Sequence, residues 1–244
     1  MLKQEHDKIL YEMLDKYKLT TNEKDELLNI INFIYMHDEF QRRMTDEFYH
    51  HDRITLGEHI LEDTIISYIL VKKHKKEHIN LDTTCKIAML HDLYTIPWQN
   101  NPDGKEKKFL NMHGFRHPIE AVINAVTWYP EIFGLEDAKK IIDGVVHHMF
   151  PFPVLAYEDR DDNPLELKNF EAVKNLDEVT KNILIESSNR GKIGRITFVP
   201  SMYSEGNIVS IADKMTSINN FKGSSLSAVS ALVTGKNRSL KQRK

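Results

Sequence analysis

Apolar residues in this chain return at intervals of three and four through most of its length, the period of one helical face and not the alternation of a strand. Leu10, Met13, Leu14 and Tyr17 form one such face, and Leu27, Leu28, Ile31, Ile34 and Tyr35 form a second, with Leu19-Thr20-Thr21-Asn22 between them as stop and cap. Residues 1 to 45 are therefore expected to be a helical hairpin, an extension suited to packing or to a homodimer contact. Thr55 and Glu58 fit the S/T-x-x-E capping box, so a helix is expected from there to about residue 75, with Ile60, Ile65, Ile66, Ile69 and Leu70 inward. Asp82 is the expected N-cap of the next helix, which ends near residues 94 to 97 because a residue before proline is biased away from helix.

His117-Pro118 reads as a helix entry, since proline at the first position loses only an N–H that has no partner there. Leu135-Glu136 opens another helix, with Ile141, Ile142, Val145 and Val146 inward and Pro151 and Pro153 as its stop. Residues 170 to 185 suit one amphipathic helix, 189 to 200 a loop or short β-hairpin, and 208 to 221 a last apolar helix. No succession of strands is long enough for a sheet-based fold, and the class is all-α.

Composition narrows the function. The 33 basic and 36 acidic side chains leave a net charge of −3, so the chain is not built to coat nucleic acid. Cys85 is the only cysteine, which removes internal disulfides and cysteine-based zinc sites. The opening residues are charged, without the apolar stretch of a secretory signal, and no segment approaches the roughly 20 apolar residues of a membrane span. A cytoplasmic protein is expected. The unusual number is 12 histidines, the commonest metal ligand and a frequent acid–base group.

Several of those histidines fall beside the apolar stripes. His59 lies in the first turn of the helix from Thr55, and the doublet His91-Asp92 closes the helix from Asp82. His117 stands at the mouth of the Pro118 helix, His147-His148 end the helix from Glu136, and Asp213 lies inside the last one. An unpaired charge or imidazole is expensive to bury in such places, and a metal offsets that cost.

The ordered segments GEHIL, AMLHDLY, HGFRHP, VVHHMFP and IADKM resemble the HD-domain superfamily of metal-dependent phosphohydrolases, in particular its bacterial members with HGFTHP-like and HMWP-like segments. A lone His-Asp pair carries no such information, because His6-Asp7, His37-Asp38 and His51-Asp52 also occur. The resemblance implies an HD-domain helical bundle over residues 46 to 222, expanded at about 154 to 200; after it, residues 223 to 244 are expected, from their basic charge and lack of apolar period, to be a tail without a catalytic role. It implies that His59, His91, Asp92 and Asp213 hold a first metal, and that His117 and His148 add a second with Asp92 bridging. Mixed imidazole and carboxylate donors suit Mn, Fe, Co, Ni or Zn better than Ca. His147, about 100° around the helix from His148, is left as a support behind the ligands or a residue of the substrate pocket. Glu62 and Asp63, at i+3 and i+4 from His59, are read as a solvated face, with a role in orienting His59 as the alternative.

Phosphate needs cations besides the metals, and Arg53, Arg116 and Lys214 stand next to the ligand positions. The implied activity is hydrolysis of a phosphate ester of a nucleotide or small phosphorylated metabolite, with Asp92 and Lys214 as catalytic groups. Two alternatives keep the same ligands: a di-iron oxygenase, and a metal-containing binding module without turnover.

Overall fold

The apolar stripes become helices, and their inward faces meet in one core. The computed structural model describes residues 2–50, 54–74, 78–95, 113–133, 136–155 and 166–222. In chain order the helices are α1 (Leu2–Lys16), α2 (Thr21–Tyr35), α3 (Asp38–Arg43), α4 (Leu56–His74), α5 (Leu81–Leu90), α6 (His113–Trp128), α7 (Pro130–Phe133), α8 (Ala138–His147), α9 (Glu171–Lys174), α10 (Glu178–Asn189) and α11 (Ser204–Lys222). Short strands accompany them: β1 (Tyr49–His50) pairs antiparallel with β2 (Ile54–Thr55), while β3 (Val154–Leu155), β5 (Ile196–Thr197) and β4 (Lys192–Ile193) form a small antiparallel sheet in that order. The class is all-α, a helical bundle. The expected basic tail lies outside the described residues.

The helices α4, α5, α8 and α11 pack on one another at the centre. Leu10 and Leu14 of α1 and Leu27, Ile31 and Ile34 of α2 are buried in the same core as Ile60, Ile66, Ile87, Val145 and Val209. The N-terminal hairpin forms as its sequence requires: Thr20 caps α2 with a reciprocal capping box to Glu23. Thr55 and Glu58 exchange the same pair of bonds at the start of α4, at 2.6 and 3.2 Å.

Several boundaries differ from the sequence reading, each for a local reason. Asn80 and not Asp82 caps α5, because its side chain accepts from Thr83 N at 3.0 Å, while Asp82 in the first turn takes Lys86 at 2.5 Å. The helix stops at Leu90, before the proline could stop it, where the His91 ring engages the carbonyl of Ala88. α6 begins at His113, so Pro118 lies inside it. The carbonyl freed by the missing proline N–H belongs to Gly114, an exposed residue open to water. The helix expected over 170 to 185 is two, because Asp177 accepts from the N–H groups of Val179 and Thr180 at 3.0 Å and starts α10 afresh, a cap that contributes about 1 kcal/mol. α8 starts at Ala138 and α11 already at Ser204.

Glycines set how closely the central helices approach. A Cβ on Gly206 would lie 2.7 Å from the Cα of Gly144, and a Cβ on Gly144 would lie 2.7 Å from Ile87 Cδ1. The contact of α11 with α8 therefore has no room for a methyl group. Asp143, one residue before Gly144, ties the segment ahead of α11 to α8: its carboxylate takes Arg190 Nε at 3.0 Å, Ser201 Oγ at 2.7 Å and Met202 N at 2.8 Å.

Gly206→Ala should therefore destabilise the protein by about 1–3 kcal/mol, roughly 2–10 °C in melting midpoint. Gly114→Ala, whose added methyl meets nothing within 4 Å, should leave it unchanged or slightly raised. Equal midpoints for the two variants in a calorimetric melt would contradict the close-approach account.

Candidate metal centre

Six positions from three helices and the ends of two others converge. His59 lies on α4 and Asp213 on α11, His117 projects from α6, and His91 and His148 occupy the C-cap positions of α5 and α8. Asp92 follows His91 in the turn. All six are buried. The two C-cap histidines are built alike. His91 Nδ1 lies 2.7 Å from the carbonyl of Ala88, and His148 Nδ1 lies 2.7 Å from that of Val145, in each case three residues back. A helix end leaves such carbonyls without an amide partner. The imidazole N–H supplies one, which puts the proton on Nδ1 and leaves the Nε2 lone pair of the neutral ring aimed inward.

Asp92 stands between two groups of these side chains. Its Oδ2 is 3.5 Å from His59 Nε2 and 3.8 Å from His91 Nε2, while its Oδ1 is 2.9 Å from His117 Nε2 and 3.6 Å from His148 Nε2. The last two nitrogens are 2.9 Å apart. On the Oδ2 side, Asp213 Oδ1 is 3.6 Å from His59 Nε2. The resemblance implied metal ligation for all six of these residues, and the fold brings all six together.

Asp63 joins them, against expectation. It is fully buried, with Oδ2 3.3 Å from His59 Nε2 and 3.2 Å from His91 Nε2, so the solvated-face reading is corrected. Glu62 is corrected as well: it is buried and accepts from Tyr17 Oη at 2.6 Å and Lys16 Nζ at 2.8 Å, a clasp from α1 onto α4. The signal was in the sequence, since i and i+4 share a helix face, and an apolar neighbourhood on that face makes it a buried one. His50 was not singled out by sequence. Its ring stacks on that of His59 at 4.0 Å and 18°, fixing how His59 can turn.

Other candidates are placed elsewhere. His147 points away from the centre, its Nε2 3.0 Å from the carbonyl of Ser187 and 3.7 Å from Asp143. Lys214 Nζ donates to the carbonyl of His148 at 2.6 Å and to Asp213 Oδ2 at 3.0 Å, which occupies two of its three ammonium protons. Arg116 is half-buried on α6 beside His117. Arg53 lies outside the described residues. The loop after the doublet is held by fully buried Arg43 of α3, which donates to the carbonyl of Tyr94 at 2.6 Å and sits over the rings of Trp128 and Phe48.

The donors fit a divalent ion. Neither oxygen of Asp63 and no Nε2 bond of His91 has a well-directed hydrogen-bond partner among the described residues, an arrangement that costs free energy unless a cation completes it. His59, Asp63, His91 and Asp213 offer ligand atoms all within 4.8 Å of one another, as do the groups His50, His59, Asp92 and His91, Asp92, His148. Ligands about 2.1 Å from one ion stand about 3–3.5 Å apart, close to the separations here. These buried His and Asp groups can hold a metal ion.

Electrostatics agree. Burial opposes charge on Asp92, but the imidazoles of His91 and His117 outweigh it and hold the carboxyl well below its ordinary range. At Asp63 burial wins over His59 and His91, and the carboxyl is pushed up. Burial opposes protonation of His91, yet Asp92 and Asp63 bring its imidazole up to about 9. His148 is pushed far down by burial and by His91 and His117, so it is neutral.

The chain was compared with protein-family models, with curated proteins and with solved structures, and none matches.

A proton-linked stability follows from His91. Its folded value lies above the ordinary 6.5, so in chelated protein its contribution is full below about pH 6.5 and is lost as pH rises through about 9. A divalent ion replaces that proton. Melting midpoints in EDTA should fall between pH 6.5 and 9.5, and excess Mn(II) should abolish the fall; a midpoint in EDTA that rises over this range would contradict the cluster's electrostatics.

Proposed function

We propose that this chain is an HD-type metal-dependent phosphohydrolase that cleaves a phosphate ester of a nucleotide or another small phosphorylated metabolite. The observation that carries the proposal is the division of the Asp92 carboxylate, one oxygen toward His59 and His91 and the other toward His117 and His148. A carboxylate so divided suits two ions, and the imidazole–carboxylate donor set favours Mn, Fe, Co, Ni or Zn. Such ions, when bound, lower the pKa of water to near neutrality and neutralise phosphoryl oxygens.

The chain's own groups do the rest. Asp92 fixes the spacing between the two halves of the centre. With metal in place of the His91 proton, His91 and His148 would both present Nε2 lone pairs, because the carbonyls of Ala88 and Val145 hold the opposite nitrogens. Lys214, anchored on the His148 carbonyl and Asp213, keeps one N–H for a phosphoryl oxygen, and Arg116 and Arg53 are the further cations assigned to the substrate. The order of the five sequence segments that resemble HD proteins supports the same reading, because every ligand position they name is in the cluster.

Phosphate release should be screened over phosphorylated metabolites with Mn, Ni, Co and Fe in parallel. Asp92→Ala should lose both ions by metal analysis and fall to background, whereas His147→Ala should keep metal and most turnover. Full metal occupancy and turnover in Asp92→Ala would refute the proposal, and so would oxygen uptake by iron-loaded protein without phosphate release on any substrate.

A further inference from the structure

We infer that the two halves of the centre hold their ions unequally: Asp63 completes a five-donor position that retains its ion, and the opposite, three-donor position exchanges its ion and receives the phosphoryl group. This rests on the metal-dependent reading above and extends it to the separate roles of the two positions.

The argument is a count of donors and charges. His59 Nε2, Asp63 Oδ2, His91 Nε2 and Asp213 Oδ1 offer four ligand atoms within 4.8 Å of one another, and Asp92 Oδ2, 3.5 and 3.8 Å from the two imidazoles, borders the same position as a fifth. An ion that accepts six ligands has one place left there. Toward Asp92 Oδ1 stand, among the described residues, His117 Nε2 and His148 Nε2, at 2.9 and 3.6 Å. Three protein donors leave three places, enough for water and for one or two phosphoryl oxygens. The charges differ in the same direction. Among the described residues, the first position has Asp63 and Asp213 to itself and shares Asp92, while the second has the shared carboxylate alone. Affinity for divalent ions rises steeply with the number of anionic ligands and with the rigidity of the site.

Asp63 decides the difference. It is fully buried and neither of its oxygens has a well-directed hydrogen bond among the described residues. Without metal its charge is met, among the described residues, only by a proton on the facing imidazoles of His59 and His91, and a divalent ion takes the place of that proton. Its neighbour Glu62 shows the contrast, since its charge is answered by Tyr17 and Lys16. Asp63 also lies one turn after His59 on α4, so one rigid helix supplies two of the five donors.

The test uses full-length protein stripped with EDTA and titrated with Mn(II) alone, bound metal being read by equilibrium dialysis and elemental analysis. Wild type should bind two ions whose dissociation constants differ by about 100-fold or more. Asp63→Asn, which keeps the shape of the side chain, should weaken the tight ion by about 100-fold and leave the weak one in place. His148→Gln should lose the weak ion and keep the tight one. Melting in EDTA within a few degrees of wild type shows that the Asp63 variant is folded; if it is not, the His148 variant decides alone. Two equal constants, an unchanged tight ion in Asp63→Asn, or loss of the tight ion in His148→Gln would overturn the inference while leaving a metal centre standing. Wild type that binds no Mn(II) would instead overturn the metal-dependent reading itself.

Discussion

A buried carboxylate shared between two sets of imidazoles is the constraint on which the rest of this structure depends. Asp92 has His59 and His91 on one oxygen and His117 and His148 on the other, and Asp63 and Asp213 add two more carboxylates within the same small volume. In water-poor surroundings such negative charge must be matched, by protons on the histidines or by metal. The four central helices are arranged to bring this material to one place, and the glycines at their closest approach, Gly144 and Gly206, leave space for backbone against backbone.

The supports around the ligands are as specific as the ligands. Two helix ends are used in the same way, each turning an orphaned carbonyl into a clamp on a histidine Nδ1. Arg43, far upstream in sequence, pins the carbonyl of Tyr94 just after the doublet. Lys16 and Tyr17 hold Glu62 next to Asp63, so α1 acts on the centre through the helix that carries His59. The N-terminal hairpin thus shares the core and braces the site. On the far side, Asp143 fastens the approach to α11 and with it the position of Asp213.

Much of this was legible in the chain itself. Helical period gave the class, the Thr20 and Thr55 caps sit where their motifs put them, and the ordered histidines and aspartates named six residues that do converge. What escaped had tertiary causes. A capping contest between Asn80 and Asp82 turns on which side chain reaches the Thr83 amide, and the end of α5 is set by a ring on a carbonyl, not by the proline downstream. Asp63 looked like surface because its type usually is; only the packing of α4 against α5 and α11 buries it. His50 had no helical spacing to mark it, and its stacking on His59 exists only once β1 and β2 pair.

The most direct measurement is diffraction from manganese-soaked crystals at two wavelengths spanning the manganese absorption edge. The account predicts two anomalous peaks separated by the Asp92 carboxylate, one among His59, Asp63, His91 and Asp213, the other between His117 and His148. A cluster without either peak, its carboxylates bonded only to protonated imidazoles while manganese binds elsewhere, would contradict it.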